Sequence, residues 1–200
     1  MRSGEVPTPA TRRRGDSLVR AIHLAALCEL ADTSLEELSF DKIAARAGTG
    51  KAVLYRRWQT PAELVLDALT DPGAGFGAPP QPDTGSLRAD LIEVLRDHAR
   101  ALDEPRGRAL RPLMTQRPRH PELYAEVYRL IVQPRLEATL GILRAAAERG
   151  EVAAEAVTER VASVGTGMII MQHMTQGFIP DAEIEALVDE ILLPLVTAPR

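Results

Sequence analysis

One stretch, residues 39–69, constrains this chain more than any other: SFDKIAARAGTGKAVLYRRWQTPAELVLDAL. Its apolar residues recur at helical spacing, in short bursts separated by turn signals. Ser39 is placed to cap a first short helix, Phe40 to Arg46, with Ile43 and Ala47 facing inward. Gly48 closes that helix, because a left-handed backbone after a helix end is cheap only for glycine. A second short helix is expected from Gly50 to Arg57, with Leu54 and Trp58 four apart on its inner face. Thr60-Pro61 then opens a third, threonine as N-cap and proline at the first helical position. A longer helix from Asp16 to Asp32, carrying Leu18, Ile22, Ala25, Ala26 and Leu30, supplies the surface against which this trio packs.

Charge decides what such a unit is for. Between residues 39 and 57 stand five cations, Lys42, Arg46, Lys51, Arg56 and Arg57, against one acid, Asp41. Both lysines of the chain are among them, yet the formal net charge of the whole is -4. A basic patch on an acidic body fits a molecule that touches phosphate at one end only. With Leu54 and Trp58 turned inward, the second short helix leaves Lys51, Ala52, Tyr55 and Arg56 outward, with Thr49 near its start. Arginine pairs with guanine edges in the major groove, and Ala52 or Val53 suits a thymine methyl. The bland alternative is a helical hairpin with a solvated basic face. The helix lengths, the small Ala44-Ala45 pair, Gly48 and the LYRRW run favour a helix-turn-helix that reads DNA.

The remainder reads as helix throughout. The chain is 45% hydrophobic, rich in Ala and Leu, and only 4% aromatic, which favours helix over a β-sandwich. Residues 72–85 hold four prolines, four glycines and one charge, and are expected to be a linker or exposed loop. Helices are expected over Leu87–Asp103, Arg108–Arg117, Pro121–Arg149 with a kink at Pro134, Ala156–Gln176, and Asp181–Val196 capped by the Asp181 carboxylate. The fold class is therefore all-α with about nine helices. The expected organisation is a disordered tail at 1–11, a DNA-binding domain at 12–71, the linker at 72–85 and a helical regulatory and dimerisation domain at 86–200. Arg12, Arg13 and Arg14 form a basic arm that is either a solvated tail or a minor-groove contact.

Other classes find little support. A lone Cys28 on an apolar helix face is read as packing, and excludes an intrachain disulfide. No signal peptide is expected, and no apolar run approaches the ~20 residues of a membrane span, so a soluble, cytoplasmic protein without a membrane partner is expected. His23, His98, His120 and His173 form no close ligand pair, no phosphate-binding loop or nucleophile elbow is present, and neither metal, cofactor nor catalysis is expected. Leu95, His98, Met114, Tyr124, Tyr128, Met168 and His173, with Met171, lie on inward sides of their helices. They are read either as core or as the wall of a ligand cavity. Few cations lie on those faces, which points to an apolar, neutral or cationic small molecule. Apolar surface on the last two helices, Ala162, Gly165 and Ile169 on one and Ile184, Leu187, Val188, Ile191 and Leu195 on the other, is expected to pair across a homodimer as a four-helix bundle.

The run IAARAGTGKAVLYRRWQTPAELVL resembles the TetR family of bacterial regulators, whose consensus is close to IAxxAGVSKGTLYRHFPSKEALL. The match is contiguous and covers roughly residues 12–70. The resemblance implies an Ω-shaped homodimer bound to palindromic operator DNA, usually a repressor, and released by a small ligand. By position it implies phosphate contacts from Tyr55, Arg57 and the helix start near Ser39, and base contacts from Lys51, Ala52, Val53 and Arg56; Lys42 is counted with the DNA-contacting residues for its place in the basic patch. The family's common lysine at the start of the third helix of the trio is Pro61 here, which leaves only the helix N-terminus itself to meet a phosphate there. Two alternatives stay open: a DNA-binding regulator controlled by a partner protein without any small ligand, and a helical enzyme or carrier.

Overall fold

The computed structural model describes the backbone of residues 9–197 and the side chains of residues 15–197. The expected tail therefore lies outside the described residues as far as residue 8, and so do the side chains of the Arg12–Arg14 arm. Helix α1 (Pro9–Asp32) begins ahead of the expected Asp16, since a proline suits a first helical turn and arginine is a good helix former. Helices α2 (Phe40–Ala47), α3 (Lys51–Tyr55) and α4 (Pro61–Thr70) follow with the expected punctuation. Ser39 Oγ accepts from the Lys42 amide at 3.4 Å, and Thr60 Oγ1 accepts from the Glu63 amide at 3.1 Å. Gly48 sits at φ 65 and its amide donates back to Ala44 and Ala45. Ile22, Leu27, Leu30, Ile43, Leu54, Trp58, Leu64 and Leu69 fill the space between these four helices without a gap to solvent.

The proline- and glycine-rich segment after α4 is packed where an exposed linker was expected. Phe76 is buried in the core beneath α4. The Phe76 amide donates to Leu69 O at 2.7 Å and the Gly75 amide to Asp71 O at 2.9 Å, which folds the loop back on the end of α4. Gly75 makes that possible: a Cβ there would lie 2.2 Å from the Ala68 carbonyl oxygen.

The rest of the chain forms a second bundle: α5 (Leu87–Asp103), α6 (Pro105–Thr115), α7 (Pro121–Val127), α8 (Gln133–Glu148), α9 (Glu159–Gln176), α10 (Asp181–Leu187) and α11 (Leu193–Thr197). Helix α6 starts at Pro105 because Gly107 lets it turn hard against Ala101, whose carbonyl oxygen a Cβ would meet at 2.0 Å. Wide π-turns at Tyr128–Val132 and Val188–Leu192 join α7 to α8 and α10 to α11. Each stands just ahead of a proline, Pro134 or Pro194. A proline removes one amide from the helical ladder and crowds the carbonyl four residues back; the wider turn takes up that misfit where a kink was expected at Pro134. Counted as continuous rods, nine α-helices and no strand occur among the described residues. Asp181 does not cap α10: it lies inside the first turn, and its carboxylate pairs with Arg96 at 3.0 Å.

Two cores result. One fills the head and runs on into α6 and the first π-turn through Ala109, Leu113, Val127 and Ile131; the other ties α5, α8, α9, α10 and α11 together. Helix α6 is the element packed most broadly on α1, while α4 meets the π-turn at Tyr128–Val132. No described helix is long and apolar enough to cross a membrane.

Candidate DNA-reading head and effector cavity

Leu54 and Trp58 are buried under α3, which turns the opposite side outward. Lys42, Lys51, Ala52, Tyr55, Arg56 and Arg57 are exposed, and Thr49, Val53 and Ser39 are half-buried at the rim of the same surface. All nine residues singled out for DNA contact are thus at least partly open to solvent, although Val53 also packs against the head's core. Beneath this surface the scaffold is polar and tightly bonded. Trp58 Nε1 donates to Asp67 Oδ2 at 2.8 Å, and His23 Nε2 meets the same oxygen at 3.1 Å. His23 Nδ1 faces the Asp71 carboxylate at 3.5 Å without hydrogen-bond alignment. The Arg57 guanidinium lies over the Trp58 ring, 5.4 Å from its centroid, and Tyr55 stands edge-on to Phe40 at 4.8 Å. Both side chains are held by aromatic contacts before any ligand arrives.

The cations differ in how free they are. Arg46 is engaged inward, 2.9 Å from Glu29 and 2.9 Å from Asp32, and so braces α2 on α1. Lys51 pairs with Asp41 at 3.1 Å, a hydrogen bond that raises its pKa above the ordinary lysine value. Lys42 lies 3.6 Å from Glu37. At the start of α4, Thr60 occupies the Glu63 amide while the Glu63 carboxylate accepts from the Gln59 amide at 2.7 Å. The helix end that was expected to offer amides to a phosphate in place of a lysine already has its Glu63 amide taken by the cap and a carboxylate beside it, both of which weaken it as an anion site.

The second bundle holds a pocket partly open to solvent, with Tyr128 and Ile170 of its wall exposed at the surface. A cavity of about 370 Å³ lies between α5, α6, the first π-turn, α8 and α9. Its size falls within the range of small-molecule sites, ~300–1,000 Å³. Of the residues expected to line a pocket, His98, Met114 and Tyr128 do so. The other four do not. Leu95 packs on Gly165, where a Cβ would come within 3.1 Å of it, in the bundle core. Tyr124 stacks on Tyr128 at 6.3 Å and carries the Arg117 guanidinium at 5.4 Å, outside the cavity. Met168 is off the lining stripe Ala162, Ser163, Thr166, Gly167 and Ile170, and packs into the core instead. His173 is tied to Asp103 at 2.9 Å and Arg111 at 3.1 Å. Met171 points outward.

The wall also contains residues that sequence reasoning missed, chiefly Phe76, Leu110, Arg135, Thr139 and Thr166. Arg135 is a cation in a wall expected to hold few. It is 8% exposed, donates to the Ile131 and Phe76 carbonyls at 3.1 and 2.9 Å, and lies 4.7 Å from the Phe76 ring centroid. A signal for it existed: Val127, Ile131, Arg135 and Thr139 follow at four-residue spacing, so an arginine interrupts a buried stripe. Burial, with the Arg135 charge adding to it, pushes the His98 pKa down to about 4, so this imidazole is neutral near pH 7.

The expected dimer surface also needs correction. Ala162, Gly165, Ile169, Ile184, Leu187 and Val188 are buried within the protomer, packed on α5 and on one another, and cannot meet a second copy in this arrangement. Ile191 and Leu195 are exposed as expected. The apolar surface that faces outward on α9 is instead Ile170, Met171 and Met174, continued by Phe178, with Met174 and Phe178 63% and 74% exposed.

A helix-turn-helix head on a helical body defines a class, the DNA-binding transcriptional regulators. Comparison gives the family. Residues 22–68 match the description "Bacterial regulatory proteins, tetR family", and residues 81–191 match "Tetracyclin repressor-like, C-terminal domain". The chain is 32% identical over 187 residues to the DNA-binding transcriptional repressor TetR of Mycobacteroides abscessus, covering 92% of this chain and 96% of that one. It is 29% identical over 192 residues to an HTH-type transcriptional regulator of Mycobacterium bovis, covering 96% and 91%. Among solved structures, the TetR family transcription regulator SCO0332 is 28% identical with a TM-score of 0.62, covering 87% of this chain and 96% of that one. TylP, a TetR regulator from Streptomyces fradiae, shares the fold with a TM-score of 0.69 at 19% identity, covering 93% and 89%. The chain belongs to the TetR family and is a DNA-binding transcriptional regulator; it is not an enzyme.

Proposed function

We propose that this regulator is a repressor that binds a palindromic operator as an isologous dimer and is released when a small, largely apolar molecule fills the cavity of its body. Lys51, Ala52, Val53 and Arg56 meet base edges, with Thr49 beside them, while Tyr55, Arg57, Lys42 and the α2 start at Ser39 hold phosphates. The observation that carries ligand control is the sharing of walls. Phe76 and Ile131 line the cavity and belong to the head's core. Helix α6 turns Leu110 and Met114 toward the cavity and Ala109 and Leu113 into the head's core beside α1. A ligand that displaces α6 therefore shifts α1 and the spacing of two reader helices, which must stay near one DNA turn, ~34 Å, to hold both half-sites.

Two copies are proposed to meet through Ile170, Met171, Met174, Phe178, Ile191 and Leu195, an apolar surface that is costly to leave in water.

The test is a thermal-shift screen of hydrophobic compounds, followed by the same screen on three variants. Tyr128→Ala and Met114→Ala should weaken the response to hits, and Met168→Ala should not. Equal responses in all three would place the ligand elsewhere.

A further inference from the structure

Arg135 is a buried charge without a carboxylate partner among the described residues. Burying a guanidinium is costly, and the usual remedy is a carboxylate against it. Here both hydrogen bonds go to backbone carbonyls, those of Ile131 and Phe76. Among the described residues no carboxylate comes within ion-pair distance; Asp97 attracts the charge from farther off. The Arg135 Nε proton is buried with no acceptor. Beside it, His98 is also buried; its Nδ1 has no well-aligned hydrogen bond, though the Val94 carbonyl one turn back favours its protonated form. Both side chains line the cavity, whose other surfaces, Leu102, Leu110, Met114 and Ile170, are apolar.

We propose that the cavity takes an apolar monocarboxylate, its carboxylate seated on Arg135 beside His98 and its hydrocarbon body on the α6 and α9 walls. This inference rests on the reading of the cavity as the effector site and adds the ligand's chemical class. A single unshared guanidinium answers a single negative charge. A phosphate monoester would bring ≈ −1.5 to −2 charges against one cation in an apolar wall. Desolvation holds the Arg135 pKa below the ordinary arginine value, and Arg106 nearby adds like charge. An anion relieves both.

The same geometry supplies a signal. The Phe76 carbonyl that now accepts from Arg135 at 2.9 Å belongs to the loop stitched to the end of α4. A carboxylate competes with that carbonyl for the guanidinium. Occupancy therefore loosens Phe76, whose ring packs into the head's core.

The experiment is calorimetric titration of the full chain at pH 7.5 with decanoate, decanamide and decan-1-ol, matched in length and differing in charge. Decanoate should bind at least about tenfold tighter than the other two, as expected for a charge-assisted hydrogen bond. Arg135→Met, close in volume and apolar, should abolish or reverse that order, and Arg135→Lys should restore part of it. If the amide and alcohol bind as tightly as the acid, or if Arg135→Met keeps the preference for the acid, the carboxylate inference falls while the effector cavity stands. If none of the three binds, the effector reading fails and takes this inference with it. Should Arg135→Met not fold, the ranking on the natural chain decides.

Discussion

The head and the body are built from similar helices and solve opposite problems. In the head, Leu54, Trp58, Leu64 and Leu69 close the interior, and the charged and polar groups beneath the reading face meet carboxylates: the Trp58 indole and His23 Nε2 on Asp67, Arg46 on Glu29 and Asp32, with only His23 Nδ1 unaligned on Asp71. Its working surface is convex and lies outside. In the body, five elements surround a space of about 370 Å³, and the charge facing that space, Arg135, lacks a carboxylate. A filled unit presents a fixed surface to a rigid partner such as duplex DNA. One with a pocket leaves cost unrecovered that a ligand can recover, and so has somewhere to move when the ligand arrives.

If that contrast holds, removing volume from the head and adding volume to the body's pocket should have very different costs. Trp58→Ala should cost about 3–5 kcal/mol, as large core truncations do, and should abolish DNA binding along with the head's fold. Thr166→Leu, which adds volume to the cavity wall, should change stability by less than about 1 kcal/mol, because the added methyl groups enter empty space. Urea denaturation of both variants checks this. A large cost for Thr166→Leu would mean that the body is as tightly packed as the head.

The next effect is electrostatic and belongs to the body. His98 has a native pKa of about 4 against 6.5 for the free side chain. The unfolded chain therefore takes up a proton that the folded chain refuses. Stability from this group is full above pH 6.5 and falls as pH drops toward 4, by about 3 kcal/mol in all. His98→Leu should flatten that part of the pH–stability curve. An unchanged slope in the variant would place the neutral histidine elsewhere.

The head's surface yields the smallest differences. Arg56→Ala should cost about 1–3 kcal/mol mainly at one base position, whereas Arg57→Ala should weaken all sequences alike and reduce the salt slope by about one. Anisotropy titrations on operator variants at several salt concentrations separate the two. Identical profiles would merge the base-reading and phosphate-holding roles.

The head was legible because its constraints are local. Ser39, Gly48, Thr60 and Pro61 fix helix ends through bonds spanning a few residues, and the Leu54/Trp58 spacing decides which side of α3 faces out. The cavity was half legible. His98, Met114 and Tyr128 follow from helix faces, but Phe76 reaches the cavity only because the loop folds back on α4, a contact no periodicity encodes. Arg135 was passed over because a charge on an apolar stripe reads as a solvated position until the neighbouring helices enclose it. The dimer face failed for a related reason. Ile169 and Val188 carry the same apolar signal as Ile191 and Leu195, and sequence does not tell an apolar stripe used within a protomer from one used between two.

The most direct test of the link between the two regions is operator affinity measured with the cavity empty and full. Operator DNA selected from a random pool is titrated with the purified protein, with and without decanoate at saturation. The account predicts a loss of affinity on the order of 5–150-fold, the usual range for coupled sites. Unchanged operator affinity while calorimetry shows the cavity occupied would contradict it.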